Sequence, residues 1–212
     1  MVKIKAIHPQ NLGWYEIKLD EVHMKHLWDC IKNPVSNHKP KLAGNISKSQ
    51  LIVDKNNFFF DKVLLPACHR YVNDFKTIPV KQLPVSERHE IYLSSMWVNY
   101  QKQTEFNPRH NHTGIYSFVV WMKIPTNFED QRKLKIAESS SSMISNFVFD
   151  YNNILGHNTG SIYEMSPKIE GMMLFFPSEL NHAVYPFYNC DEERISVSGN
   201  LMLDTKSLCL IS

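Results

Sequence analysis

Residues 107–114 read Asn-Pro-Arg-His-Asn-His-Thr-Gly and run straight into an apolar stretch from Ile115 to Ile124. Side chains two apart on an extended chain project to the same face. His110 and His112 can therefore reach one ion together. A third histidine, His182, lies downstream in Leu180-Asn181-His182-Ala183-Val184-Tyr185-Pro186, a matching strand context. Imidazole suits the first-row transition metals, and a donor set on one side of the ion leaves the opposite positions open for other ligands. The expectation is a mononuclear metal site. Arg194 and Ser196 are again two apart, which puts a guanidinium and a hydroxyl on one side of a strand. The guanidinium fork is suited to gripping a carboxylate.

Each of these residues has a plainer reading when taken alone. Paired histidines on a strand are often surface or core-edge residues, and a bare His-x-His is a weak signal. His182 would then be a turn histidine packed on Pro186. Arg194 would be a surface partner for Asp191, Glu192 or Glu193, an ion pair worth little. The order of the elements along the chain is what favours the metal site. His8, His23, His26, His38, His69, His89 and His157 have no companions at ligand spacing on strands. His23 and His26 could chelate from a helix, but solvated helix histidines are the expectation. Trp97 and Trp121 read as packing residues, with Trp121 a candidate to line a pocket.

The elements that must position these groups follow from periodicity and turn chemistry. Met1 to Ala6 alternates like a strand, and Trp14 to Leu19 reads as a short one. Asp20 is an N-cap, and Val22, Met24, Leu27, Trp28 and Ile31 recur at helical spacing until Asn33-Pro34 ends the helix. Residues 35–56 read as a long polar connection across the core. A second helix is expected from Asn57 to Phe75, kinked or restarted at Pro66. Pro79 and Pro84 mark a linker. From Glu90 onward the chain turns to β, with strands expected at Ile91–Tyr100, Ile115–Ile124, Ser145–Tyr151, Ser161–Met165, Met172–Phe176, His182–Pro186 and Arg194–Leu203. Helices followed by short strands predict a mainly β fold, an antiparallel jelly roll braced by N-terminal helices.

The motif order resembles the 2-oxoglutarate/Fe(II)-dependent dioxygenases of the prolyl-hydroxylase-like class. That family opens its site with His-x-Asp and closes it with His-x-Val-x-Pro and then Arg-x-Ser. Here the second half matches as Gly171 to Ser178, then His182-x-Val184-x-Pro186, then Arg194-Ile195-Ser196. The likeness runs from near His89 to the end. The departure is His112, which stands where the family has an aspartate. His-x-His-x-Gly followed by Ser-Phe-Val and Ile-Pro is similar to a subgroup of 2-oxoglutarate/Fe(II) oxygenases of bacteriophages and bacteria. The resemblance implies a double-stranded β-helix, cupin-like in shape, with His110, His112 and His182 as metal ligands. It implies Arg194 and Ser196 on the far carboxylate of 2-oxoglutarate, with Tyr100 a candidate hydrogen-bond partner of the same co-substrate. Lys123, on the strand after the His-x-His, ranks second to Arg194 as the carboxylate clamp. His112 is read as a ligand; the alternative puts it behind the metal, with water or Glu105 in third place. The implied cofactors are Fe(II), 2-oxoglutarate and O2. The implied reaction oxidises an unactivated C–H bond, hydroxylation first, on a peptidyl prolyl or other amino-acid side chain, with release of succinate and CO2.

Composition sets the outer limits. At 212 residues and 43% hydrophobic content the chain can bury one core, so residues 1–212 are read as a single oxygenase domain. Within it, 1–88 is a support and 89–212 the jelly-roll core. A net charge of +2 without a basic block gives no support to nucleic-acid binding. No stretch has the length of a membrane span, and the N-terminus lacks a signal-peptide core. Cys30, Cys68, Cys190 and Cys209 have no metal or redox spacing, so free thiols in a cytoplasmic setting are expected (a host's cytoplasm, if the chain is phage-encoded). Residues 127–142, long and polar, are the expected substrate-covering loop. Two other functions compete. A three-histidine cupin-type dioxygenase would leave Arg194 and Ser196 idle and lacks the usual nearby glutamate. A silent jelly-roll binding module would have no need of a carboxylate clamp.

Overall fold

A computed structural model describes residues 2–7, 11–76, 90–141 and 143–204. The chain opens with β1 (Tyr15–Lys18) and α1 (Glu21–Ile31). The Asp20 carboxylate caps α1 by accepting the His23 N–H at 3.0 Å. Residues 35–56 hold two short strands, β2 (Ser36–Asn37) and β3 (Lys48–Ile52), where the sequence predicted only a connection. The pattern Lys-Ser-Gln-Leu-Ile lacks β-branched character until its end, so β3 owes its conformation to pairing with its neighbour. The second helical region begins with a wide turn over Phe60–Leu64 and restarts as α2 (Leu65–Phe75) with Pro66 in its first turn. Proline is tolerated there because its missing N–H would have had no partner. Pro79 and Pro84 lie outside the described residues. Residues 2–7 form no strand, which corrects the expectation drawn from their alternation.

Eight strands then wind between two sheets: β4 (Ile91–Gln101), β5 (Asn107–His110), β6 (Tyr116–Lys123), β7 (Phe147–Asn152), β8 (Asn158–Tyr163), β9 (Met172–Pro177), β10 (His182–Val184) and β11 (Arg194–Leu203). The larger sheet has the order β1-β9-β6-β11-β4-β3-β2 and the smaller β5-β10-β7-β8. All described pairings are antiparallel. β4 to β7 alternate between the two sheets, β7 and β8 pair within the smaller one, and β8 to β11 alternate again, which is the jelly roll predicted from the strand pattern.

Two apolar cores hold it. Helix residues Leu27, Phe59, Leu64 and Tyr71 pack on the outer face of the larger sheet through Val98, Phe175 and Val197. Between the sheets, Val119, Trp121, Phe147, Phe149, Leu174 and Phe176 form the second core. β4 and β11 serve both sides at once. Their register pairs Trp97 with Ser198, Asn99 with Ser196 and Gln101 with Arg194 on one face, and Val98 with Val197 and Tyr100 with Ile195 on the other. No described helix is long and apolar enough to cross a membrane.

Candidate metal centre

His110 ends β5 and His182 opens β10, and the two strands pair so that these residues stand opposite each other. His112 lies in the turn beyond β5, where its N–H donates to the Ser178 carbonyl at 2.8 Å. The chain then doubles back into β6 through Gly114. Its φ is +119°, and a Cβ there would sit 2.6 Å from the Leu201 carbonyl oxygen. Only glycine makes that return without strain, and the return brings the second imidazole beside the first.

The imidazole donor atoms of His110, His112 and His182 all lie within 4.8 Å of one another. The Nε2 atoms of His112 and His182 are 3.1 Å apart. Two nitrogens about 2.1 Å from one ion, at right angles, stand about 3 Å apart. The Nδ1 of His110 is 2.7 Å from the Pro108 carbonyl oxygen and that of His182 is 2.9 Å from the Leu180 oxygen. Each Nδ1–H donates to its carbonyl, which leaves Nε2 with a free lone pair turned inward. Burial pushes all three imidazoles below their ordinary range. His112 falls to about 4, and the neighbouring imidazoles push His182 down further. The neutral, metal-binding form is thus the favoured one. Aromatic rings wall the cluster. Phe147 stacks on His182 with centroids 5.5 Å apart, and Trp97 tilts over His112 at 5.7 Å. These residues fit a transition-metal ion held from one side.

A cavity of about 500 Å³ opens from the three imidazoles and runs between the sheets. Its lining includes Asn99, Gln101, Trp121 and Ser196 together with Leu42, Ile46, Ser94 and Met202. No aspartate, glutamate, lysine or arginine is among the described lining residues. Arg194 lies behind Gln101, fully buried. Its guanidinium donates to the Ser145 carbonyl at 2.8 Å, to the Ser145 hydroxyl at 2.6 Å and more distantly to Gln101 at 3.4 Å, and it stacks over Phe187 at 4.9 Å. Its Nε–H has no partner, and no carboxylate pairs with it among the described residues. Burial lowers it to about 9, still charged at neutral pH. A buried cation without a counter-ion is costly. An uncharged cavity ending near it is complementary to an anion, which is the test a 2-oxoglutarate carboxylate must meet.

The structure separates some residues that the sequence grouped together. Tyr100 faces the helices, in the outer core, with the Lys48 ammonium 3.9 Å from its ring centroid. It does not line the cavity, because the pleat of β4 presents Asn99 and Gln101 there instead. Lys123 pairs with Glu192 at 2.6 Å on the surface. Glu105 accepts the Ser47 and Lys102 N–H groups at 2.9 and 2.8 Å, tying down a turn away from the imidazoles. Residues 127–142 contribute nothing to the described lining. They form α3 (Phe128–Gln131) and a 3-10 turn, with Gln131 exchanging hydrogen bonds of 2.9 and 2.8 Å with the Tyr188 backbone. The covering wall is instead residues 38–51, which the sequence left as a connection. Asn45 donates to the Phe106 carbonyl at 2.9 Å, pinning that wall to the chain entering β5. Within it His38 stacks on Trp97 at 4.9 Å. Asn99 and Gln101 were readable from the two-residue alternation of β4; His38 carried no such signal.

Comparison with known proteins agrees with this reading. Residues 95–200, half of the chain, match the family model for 2OG-Fe(II) oxygenases. No curated protein sequence matches. Among solved structures, a 2OG-Fe(II) oxygenase-family oxidoreductase from Burkholderia pseudomallei superposes with a TM-score of 0.50 at 11% identity, over 88% of this chain and 84% of that one. A prolyl-4-hydroxylase from Pseudomonas putida gives 0.48 at 13% identity, over 90% and 92%. A Trichoplax adhaerens prolyl hydroxylase in complex with a hypoxia-inducible-factor peptide gives 0.47 at 14%, over 94% and 87%. At these identities the first likeness speaks to fold alone. The span of the family match carries the conclusion: this chain belongs to the 2OG-Fe(II) oxygenases and is an oxidoreductase of the family that works with Fe(II), 2-oxoglutarate and O2.

Proposed function

We propose that the chain is a hydroxylase that holds Fe(II) through His110, His112 and His182 and receives the far carboxylate of 2-oxoglutarate at the Arg194 and Ser196 end of the cavity. The observation that carries this reading is three convergent neutral imidazoles on one uncharged cavity, with a fully buried, uncompensated guanidinium behind its Gln101 wall. When bound, iron with 2-oxoglutarate and O2 supplies C–H oxidation coupled to release of succinate and CO2. The chain's own work is positional. The Pro108 and Leu180 carbonyls fix the ring tautomers, Phe147, Phe176 and Trp97 exclude water, and Ser196 offers a hydroxyl into the cavity. Arg194 must turn from Ser145 or act through Gln101 to meet the carboxylate. Tyr100 has no part in this set. The proposed substrate is a peptidyl prolyl or other amino-acid side chain, or a small molecule presenting a similar neutral group, which the uncharged lining supports. The whole chain acts as one domain, with β1, β2 and β3 joining residues 1–88 to the larger sheet of the core. Free thiols at Cys30, Cys68 and Cys190 support a reducing, cytoplasmic setting; Cys209 lies outside the described residues.

Anaerobic protein mixed with Fe(II) and 2-oxoglutarate should show the weak visible charge-transfer band of a chelated keto acid. Arg194→Ala should lose it at co-substrate concentrations that saturate the parent, and His112→Ala should weaken iron binding at least tenfold. Iron binding without any band would sink the co-substrate assignment. Unchanged iron affinity in His112→Ala would place that ring behind the metal.

A further inference from the structure

Outside the cavity lining, α1 and the segment after β3 gather a different set of ligand-type side chains. His26 and Cys30 stand one helical turn apart, so both project from the same side of α1. Asp54 approaches them from the other chain segment. His26 Nε2 is 3.5 Å from the Cys30 sulfur and 2.7 Å from Asp54 Oδ1. The three donor atoms lie within 4.8 Å of one another. Both neighbours address the same ring nitrogen. A nucleophilic relay would place one on each nitrogen, whereas two donors converging on one nitrogen suit an ion set among all three. A nitrogen and a thiolate sulfur on one tetrahedral Zn2+ stand about 3.5 Å apart, which the sulfur–nitrogen pair already matches. The imidazole–carboxylate pair is at hydrogen-bond length and opens by about 0.6 Å when an ion replaces the proton.

The surroundings hold the donors in place. Asp54 accepts the Phe59 N–H on Oδ1 at 3.0 Å and the Phe60 N–H on Oδ2 at 2.8 Å. The Lys55 backbone N–H points at the Cys30 sulfur. Asn56 and Asn57 take left-handed φ of 59° and 53°, bending the chain around this point. Cys30 and Asp54 are each 6% exposed, while the His26 ring is partly open to solvent and gives a way in. A thiolate and a carboxylate together carry two negative charges, which one divalent ion cancels. Burial pushes the Cys30 thiol up, so the proton leaves only as the ion enters.

We propose that His26, Cys30 and Asp54 form a second metal site, independent of the oxygenase centre, that takes one Zn2+ ion and pins α1 to the chain leading into α2. The thiolate favours zinc over the harder cations. Water completes the tetrahedron on the exposed side of His26.

The test uses Co(II) on metal-free, reduced, full-length protein, because a thiolate–Co(II) charge-transfer band cannot come from an all-imidazole centre. The parent should show that band and bind two ions per chain by elemental analysis. Cys30→Ser should lose the band and one ion while the three-histidine centre keeps its own, and Asp54→Asn should weaken it at least tenfold. Should Cys30→Ser fail to fold, His26→Ala, at a partly exposed position, reads the same signal. Absence of the band in the parent, or its survival in Cys30→Ser or His26→Ala, overturns the site and leaves the trio a hydrogen-bonded helix cap only. Since the oxygenase centre is read by the keto-acid band and this one by the thiolate band, either can fail alone.

Discussion

The two faces of β4 and β11 differ in nearly everything but their backbone. The face toward α1 and α2 carries Val98, Tyr100, Val197 and Leu201 and is dry and close-packed. The cavity face carries Asn99, Gln101, Ser196, Ser198 and Asn200 against open volume. One set of ladder hydrogen bonds supports both, and the two-residue pleat keeps them apart. The helices stabilise the sheet from one side, so that its other face can carry polar groups and empty space. It also explains why a shift of one residue decides a role: Tyr100 belongs to packing and Asn99 to the site.

Among single substitutions, the contrast is broken most severely from the dry side. Phe175 is fully buried there, and Phe175→Ala should lower stability by about 3–5 kcal/mol. Chemical denaturation checks this, while iron affinity of the folded fraction should stay near the parent's. A loss of iron affinity larger than the loss of stability would mean that the two faces are coupled.

Acidification acts from the other side. The cavity-side imidazoles have folded-state values pushed below the ordinary value of about 6.5, so the unfolded chain takes up protons that the folded chain refuses. Their contribution to stability is complete above about 6.5 and declines as the pH falls below it, for His112 until about 4, with a slope of about 1.4 kcal/mol per pH unit for each ring that stays neutral. Thermal melting of metal-free protein between pH 7 and 4.5 should follow that slope. A flat profile would show that the cavity face is as wet as the surface.

The smallest effect is expected at Tyr100. Burial and the Glu193 charge, not a hydrogen bond, act on its hydroxyl among the described residues, so Tyr100→Phe should change stability by about 0.5 kcal/mol or less. The 2-oxoglutarate KM should stay the same. A tenfold rise in that KM would return the residue to the co-substrate.

Much of this arrangement was legible beforehand, and for identifiable reasons. The capped helix from Glu21 and the strands from Ile91 onward other than β5 follow from periodicity, which depends on neighbours close in the chain; His110, His112 and His182 meet as their motif order suggested, but His112 does so from a turn and not along a strand. β3 was not legible, because a polar five-residue strand is made by the edge it pairs with. Residues 38–51, inside the expected connection, line the cavity where residues 127–142 were expected to, for a similar reason: both are polar, and only tertiary contacts decide which one lies over the cavity. Tyr100 was misplaced by motif distance, where strand parity would have placed it correctly. The His26, Cys30 and Asp54 trio was invisible because Asp54 is far from the helix in sequence.

The Asn45–Phe106 hydrogen bond has a mechanical consequence. Together with Ser47 donating to Glu105, it rivets the cavity wall to the segment that becomes β5, and β5 ends in His110. Gly44 deepens the joint, since any side chain there would collide with Asn107. The wall and the strand that carries His110 are therefore fastened as one unit, so any displacement of the one would be transmitted to the other.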